Sequence, residues 1–281
     1  ATASQVAKSL HDALSRVSGV EKKADLFTLF SLKGGAGVTT LAINLADHIH
    51  ALTNEKVLLL DLNLFRGDIP SYLNFEPSFT PFELIGELHR MDRELLLSSI
   101  YRHDCGIYVL TAPEQINDAD SISANDIHEM IRLLKKHFDY IVVDAPHDFT
   151  ERTLKLLALT DILLLAAQQN VPSAKSVQKI LGFLDDIEFS QERIHIVLNR
   201  HVRKSEFKAA DLEHVFNRSV SHLVNNDYPL FIRAANKGEP VSSYAPRNRL
   251  NLQLSCMASG LTGVESSKRS VWRRFFTRRK A

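Results

Sequence analysis

One pattern recurs from residue 27 onward: a short run of β-branched and aliphatic residues, then a polar or helical stretch. The runs cover residues 27–32, 56–61, 107–111, 140–144, 162–167 and 193–199, and 219–224 extends the series. Helical spacing is read over residues 38–52, 121–136, 173–186, 206–216 and 248–261. Strands that are apolar at nearly every position have no side to turn to water, which is the mark of a parallel sheet buried on both faces. Alternation with helices therefore predicts an α/β fold, a mostly parallel central sheet with helices on both faces. A chain of 281 residues with 44% hydrophobic and 24% charged residues can bury a full core of this kind, and it is neither a disordered chain nor a coiled coil. No apolar run approaches the roughly 18 residues needed to cross a bilayer. Two isolated cysteines, Cys105 and Cys256, suit a reducing cytosol better than a disulfide scaffold.

The first run leads directly into Lys33-Gly34-Gly35-Ala36-Gly37-Val38-Thr39-Thr40. Strand, glycine loop and helix in that order form the context of a phosphate-binding loop. Glycines let the backbone curl so that several N–H groups converge, and the start of the following helix adds the positive end of its dipole. Thr39 stands where a hydroxyl ligates Mg²⁺, and Thr40 can reach another phosphate oxygen. The usual loop ends Gly-Lys-Ser/Thr; here Val38 takes the lysine position and cannot donate to phosphate. Lys33 instead opens the loop. Two runs end in an acid, Asp61 and Asp144, and an acid at a strand end beside such a loop can hold Mg²⁺ directly or through water.

A lysine at the loop entrance is the deviant form of the Walker A motif, and the chain resembles the ParA/MinD class of P-loop ATPases over most of residues 27–262. Residues 57–68, Val-Leu-Leu-Leu-Asp-Leu-Asn-Leu-Phe-Arg-Gly-Asp, look like the first switch segment of that class. Residues 141–146, Ile-Val-Val-Asp-Ala-Pro, look like its second acidic strand end. Residues 196–200 resemble the strand whose Asn, here Asn199, reads the adenine edge. Residues 226–229, which end in Pro229, and 234–240 resemble the late loop and helix that close over the base. Val38-Thr39-Thr40, the Asp-Leu-x-Leu-x-x-Gly-Asp run, Tyr72-Leu73 and Glu76-Pro77 further resemble the TadZ/CpaE proteins of Tad (Flp) pilus assembly. In that family a receiver-like domain usually precedes the ATPase domain. Only about 24 residues precede the first strand here, so the expectation is either that such a part has been cut away or that this is a short member.

The resemblance implies ATP and Mg²⁺ as cofactors, with Lys33, Gly34, Gly35, Ala36, Gly37, Val38, Thr39 and Thr40 around the phosphates, Thr39, Asp61 and Asp144 at the metal, and Asn199 and Pro229 at the base. It implies a homodimer closed over two nucleotides, with Lys33 contacting phosphate across it. It also implies pilus assembly or secretion machinery as partners, and a cytoplasmic place peripheral to the inner membrane, often at a cell pole. The family pattern places an acid two residues after Asp61, where it orients the attacking water; this chain has Asn63, and an amide cannot take a proton as a carboxylate can. With Val38 and Asn63 both departing from the pattern, slow or absent turnover is expected.

Charge is divided unevenly. Residues 266–281 carry seven cations and no acid, which leaves residues 1–265 net −6. Val271, Trp272, Phe275 and Phe276 would line one face of a helix flanked by arginines, a pattern suited to an anionic membrane surface. The expected organisation is therefore an N-terminal linker or helix (1–24), an ATPase domain (25–265) and a basic amphipathic tail (266–281), with residues 268–280 in membrane contact. An acidic body argues against DNA as partner. The alternatives are a ParA-type DNA partition ATPase and a nucleotide-free scaffold.

Overall fold

The computed structural model describes residues 24–64, 67–111 and 122–265. Residues 1–23, with them nearly all of the expected N-terminal linker or helix, positions 65 and 66, residues 112–121 and the tail from residue 266 lie outside them. In chain order the elements are β1 (Asp25–Phe30), α1 (Val38–Thr53), β2 (Val57–Asp61), α2 (Ile69–Leu73), α3 (Pro81–Gly86), α4 (Arg93–Ser99), β3 (Tyr101–Arg102), β4 (Tyr108–Leu110), α5 (Ala124–His137), β5 (Tyr140–Asp144), α6 (Glu151–Leu159), β6 (Ile162–Ala167), α7 (Val171–Asp186), β7 (Ile194–His201), α8 (Ala209–Phe216), β8 (His222–Asn225), α9 (Tyr228–Ala235), α10 (Val241–Tyr244) and α11 (Leu250–Thr262).

Among the described residues the strands form one sheet in the order β3-β4-β2-β5-β1-β6-β7-β8. Every pair is parallel except the short edge pair β3–β4. β1 lies between β5 and β6, so the chain first winds outward on one side and then crosses to the other. In open α/β sheets ligands bind where the winding reverses, beyond the carboxyl ends of the strands; here that is the end of β1.

The apolar runs divide between two cores with the period of two that a strand imposes. Leu58 and Leu60 of β2, Ile141 and Val143 of β5, and Leu163 and Leu165 of β6 enter the core covered by α3 to α8. Val57 and Leu59, Tyr140 and Val142, and Leu164 enter the other, covered by α1, α2 and α9 to α11. The same alternation sends Asp61 and Asp144, each following a residue of the first core, to the α1 side.

The elements differ from the sequence expectation chiefly at their ends. β1 begins at Asp25, which pairs with Tyr140, and stops at Phe30, because Leu32 already bends into the loop. β8 runs later than expected, and α8 starts three residues later. α7 begins earlier, at Val171, where Asn170 accepts a hydrogen bond from Ser173 N. The short helices α2, α3, α4 and α6 have too few residues for a periodicity to show.

The late segment is tied back to α1 by a side chain. Asn44, 4% exposed, accepts from Val241 N at 2.9 Å and donates to Thr40 O at 2.8 Å. α11 packs along α1 and ends at Gly263, whose φ of 68° is the left-handed helix stop. Asn44→Ala leaves the buried Val241 N–H without a partner. It is expected to cost about 1–3 kcal/mol, measured as a lower urea midpoint with an unchanged m-value.

Candidate functional site

The loop between β1 and α1 is held from two strands. Gln168, just past β6, donates from Nε2 to Gly35 O at 3.0 Å. Asn199, near the end of β7, donates from Nδ2 to Ala36 O at 2.8 Å. With these carbonyls tied back, the loop keeps its shape without a ligand. α1 starts at Val38 with no side-chain cap and no acid in its first turn; Gly37 before it has φ 87°. The N–H groups of Val38, Thr39 and Thr40 thus begin a 16-residue helix unpaired by side chains, which is the helix end that favours an anion. A Cβ on Gly37 would lie 2.4 Å from Asn199 Nδ2, so this glycine is required both for its backbone angle and for the brace.

Val38 explains its own departure from the usual loop. Its side chain is 2% exposed and packs in the α1-side core. Lys33 is half-buried at the loop entrance, with its backbone N–H on Ser31 Oγ at 3.2 Å. Among the described residues no carboxylate lies within ion-pair distance of its ammonium.

Register brings the two acids together: Asp61 and Asp144 are direct partners across β2 and β5. They are 0% and 1% exposed. Thr39 Oγ1 donates to Asp144 Oδ2 at 2.6 Å, and Asn63 N donates to Asp61 Oδ1 at 2.8 Å. The remaining oxygens, Asp61 Oδ2 and Asp144 Oδ1, are buried without a protein donor among the described residues. Burial pushes Asp61 up to about 7, and the charge of Asp68 adds to it. Burial and then the charge of Asp61 hold Asp144 well above the ordinary carboxylate range. Two orphaned carboxylate oxygens beside a hydroxyl form the hard oxygen donor set that suits Mg²⁺, so the residues present fit the ion that the sequence implied.

The glycine loop, Asp61, Asn63, Asp144 and Asn199 therefore meet around the end of β1. Asn199 is 5% exposed and lies against the loop; its Nδ2 holds Ala36 O and its Oδ1 accepts from Arg200 N at 2.9 Å. Its amide acts as a brace on the loop instead of standing open to a base. Pro229 is exposed in the first turn of α9, next to Tyr228, over whose ring the Arg200 guanidinium sits at 5.4 Å. Sequence reasoning missed Gln168 and His147, whose Nδ1 is 2.7 Å from Ser31 O. It also gave no role to Gly67, where a Cβ would meet Asp61 Oδ2 at 2.6 Å. Only Gly67 had a signal, a glycine inside the acidic run.

No family model matches the chain. The septum site-determining protein MinD of Thermotoga maritima is 26% identical over 225 residues, 78% of this chain and 81% of that protein. The chain is thus similar to MinD over most of its length, and MinD of Bacillus subtilis is 24% identical over 246 residues, 85% of this chain and 89% of that protein. A ParA family ATPase from Chlorobium tepidum superposes with a TM-score of 0.79 at 23% identity, covering 84% of this chain and 98% of that one. MinD of Pyrococcus horikoshii, solved as a complex with Mg-ADP, superposes at 0.72 with 20% identity over 87% and 99%. These two likenesses concern the MinD/ParA fold. Among the described residues no helix is long and apolar enough to cross a membrane.

The acid pair gives the ligand-free protein a pH dependence of a definite sign. Between 3.8 and about 7 the folded protein keeps a proton on Asp61 that the unfolded chain releases. Stability therefore falls as pH rises through that window, by at most about 1.4 kcal/mol per pH unit for one proton. In chelator-containing buffer, Asp61→Asn is expected to flatten the fall in thermal midpoint over the same range. A variant that follows the wild-type curve would contradict the assignment.

Proposed function

We propose that the chain binds ATP with Mg²⁺ and works as a nucleotide-dependent dimer that places Tad (Flp) pilus-assembly machinery at the inner membrane, with slow hydrolysis at most. The observation that carries the nucleotide part is the Thr39–Asp144 hydrogen bond beneath an uncapped helix start, beside two orphaned carboxylate oxygens. Residues 34–40 would cradle the phosphates. Thr39, Asp61 and Asp144 would hold Mg²⁺ directly or through water, and the ion would neutralise phosphate charge. Asn199 keeps the loop in shape through Ala36 O, and Pro229 with Tyr228 stands at the base end. Lys33 supplies the one loop cation and acts fully across a dimer. The pilus assignment rests on the run after β2 and on Val38-Thr39-Thr40. The membrane assignment rests on the basic, aromatic residues 268–280.

Nucleotide stabilises a dimer only to the extent that the dimer binds it better than the monomer does. Titration calorimetry with ATP and Mg²⁺, with sedimentation run in parallel, is expected to give roughly micromolar binding that drives dimerisation in the wild type, both being lost in Lys33→Ala. Absence of binding at millimolar ATP would leave the scaffold reading. DNA binding that is sensitive to salt and survives removal of residues 266–281 would favour the partition reading.

Asn63 occupies the place of a water-orienting acid, and its amide already leans on the protein, with Nδ2 3.5 Å from Asp144 O. Asn63→Asp is therefore expected to raise the single-turnover hydrolysis rate about tenfold or more, with ATP affinity little changed. An unaltered rate would mean that Asn63 is not what limits turnover.

A further inference from the structure

Beside Asn63 a cavity of about 290 Å³ opens between the segments that follow the two acids. Leu62, Leu64, Ile127 and Leu156 give it an apolar floor, and its polar lining comes from Asn63, His147, Asp148, Thr150, Arg152 and Thr153. Most of those polar groups are already engaged. Asp148 Oδ1 accepts from Thr150 N at 3.1 Å, Thr150 Oγ1 at 2.9 Å and Thr153 Oγ1 at 2.6 Å. Arg152 donates to Ile122 O at 3.4 Å.

His147 differs from its neighbours. Its Nδ1 lies 2.7 Å from the carbonyl oxygen of Ser31. A carbonyl can only accept, so Nδ1 carries the hydrogen. In the neutral ring Nε2 then bears the lone pair. The bond thus fixes both the tautomer and the ring's attachment to the loop entrance, since Ser31 Oγ in turn accepts from Lys33 N. The ring is exposed, and among the described residues no protein donor is found for Nε2.

We propose that His147 Nε2 positions the attacking water for hydrolysis of the γ-phosphate, in a site where Asn63 stands in place of a water-orienting acid. The inference rests on the ATP reading above. Nε2 accepts a hydrogen bond from the water. The water oxygen forms the new bond to the γ-phosphorus as the bond from that phosphorus to the β–γ bridging oxygen breaks. ADP leaves with the electron pair, and the water's proton ends on inorganic phosphate. His147 thereby acts as a water-positioning residue, anchored to the same loop that would hold the phosphates.

The anchor and the acceptor are separable. In His147→Asn the amide Nδ2 can still donate to Ser31 O, but the one remaining acceptor, Oδ1, sits on the same carbon and does not reach the place of Nε2. His147→Ala removes both. Calorimetry with ATP and Mg²⁺ reads binding, and single-turnover phosphate release reads the chemistry. Both variants are expected to bind ATP within about twofold of wild type and to lose roughly tenfold to a hundredfold in rate. In the Asn63→Asp background, where a carboxylate orients the water, His147→Asn is expected to cost less than about threefold. A wild-type rate in His147→Asn alongside a slow His147→Ala would reduce the ring to a prop for Ser31 and overturn the proposal. Wild-type protein that binds ATP and releases no phosphate would also overturn it, with the binding reading intact. Failure of the wild type to bind ATP would instead remove the reading on which it rests. A melt followed by circular dichroism identifies any variant slowed merely by unfolding.

Discussion

Parallel pairing of β2 with β5 sets Asp61 beside Asp144, buried at the carboxyl ends of two central strands and both turned toward α1. Water cannot screen them there, and each keeps one oxygen with no protein donor among the described residues. Such a pair is tolerated only if it holds protons or a cation. The uncapped start of α1 is the complementary element, a helix end that favours negative charge and offers N–H groups. Thr39 joins the two through its bond to Asp144. Most of the site's chemistry follows from this meeting of two carboxylates with one helix end.

Around that meeting the loop is held firmly. Gln168 and Asn199 grip two of its carbonyls, Gly37 leaves room for the second grip, and Val38 anchors in the core. A cradle already in shape before binding loses less freedom when a ligand arrives. The chemistry beyond the loop, around Asn63, is less complete. Asn63 cannot serve as a base, and the groups lining the neighbouring cavity are largely spent on one another. Under the proposed ATP reading, binding and turnover would therefore be separable, the first resting on the shaped loop and the second on few groups.

The sheet and its two acids were legible because a strand buried on both faces must be apolar throughout, so a carboxylate at its end stands out. The glycine loop was legible for a similar reason, since its departure from ordinary composition is local. Gln168 and His147 were not. Each acts through a bond to a backbone carbonyl 133 or 116 residues away, and no local pattern marks such a bond. Asn199 was visible as a residue, but its orientation was not, because whether its amide turns to the loop or to a ligand is settled by packing across β7. Element ends slipped where backbone pairing continued through a polar residue, as at Asp25, or stopped at an apolar one, as at Leu32.

The packing of α11 along α1 also ties the chain's path to the glycine loop. α1 starts at that loop, and α11 ends in the left-handed turn at Gly263. The point at which the polypeptide departs from the body is thus fixed relative to the glycines. Any contact made at that turn is therefore made at a fixed distance and angle from the glycine loop, so that the place and the orientation of the loop are set together.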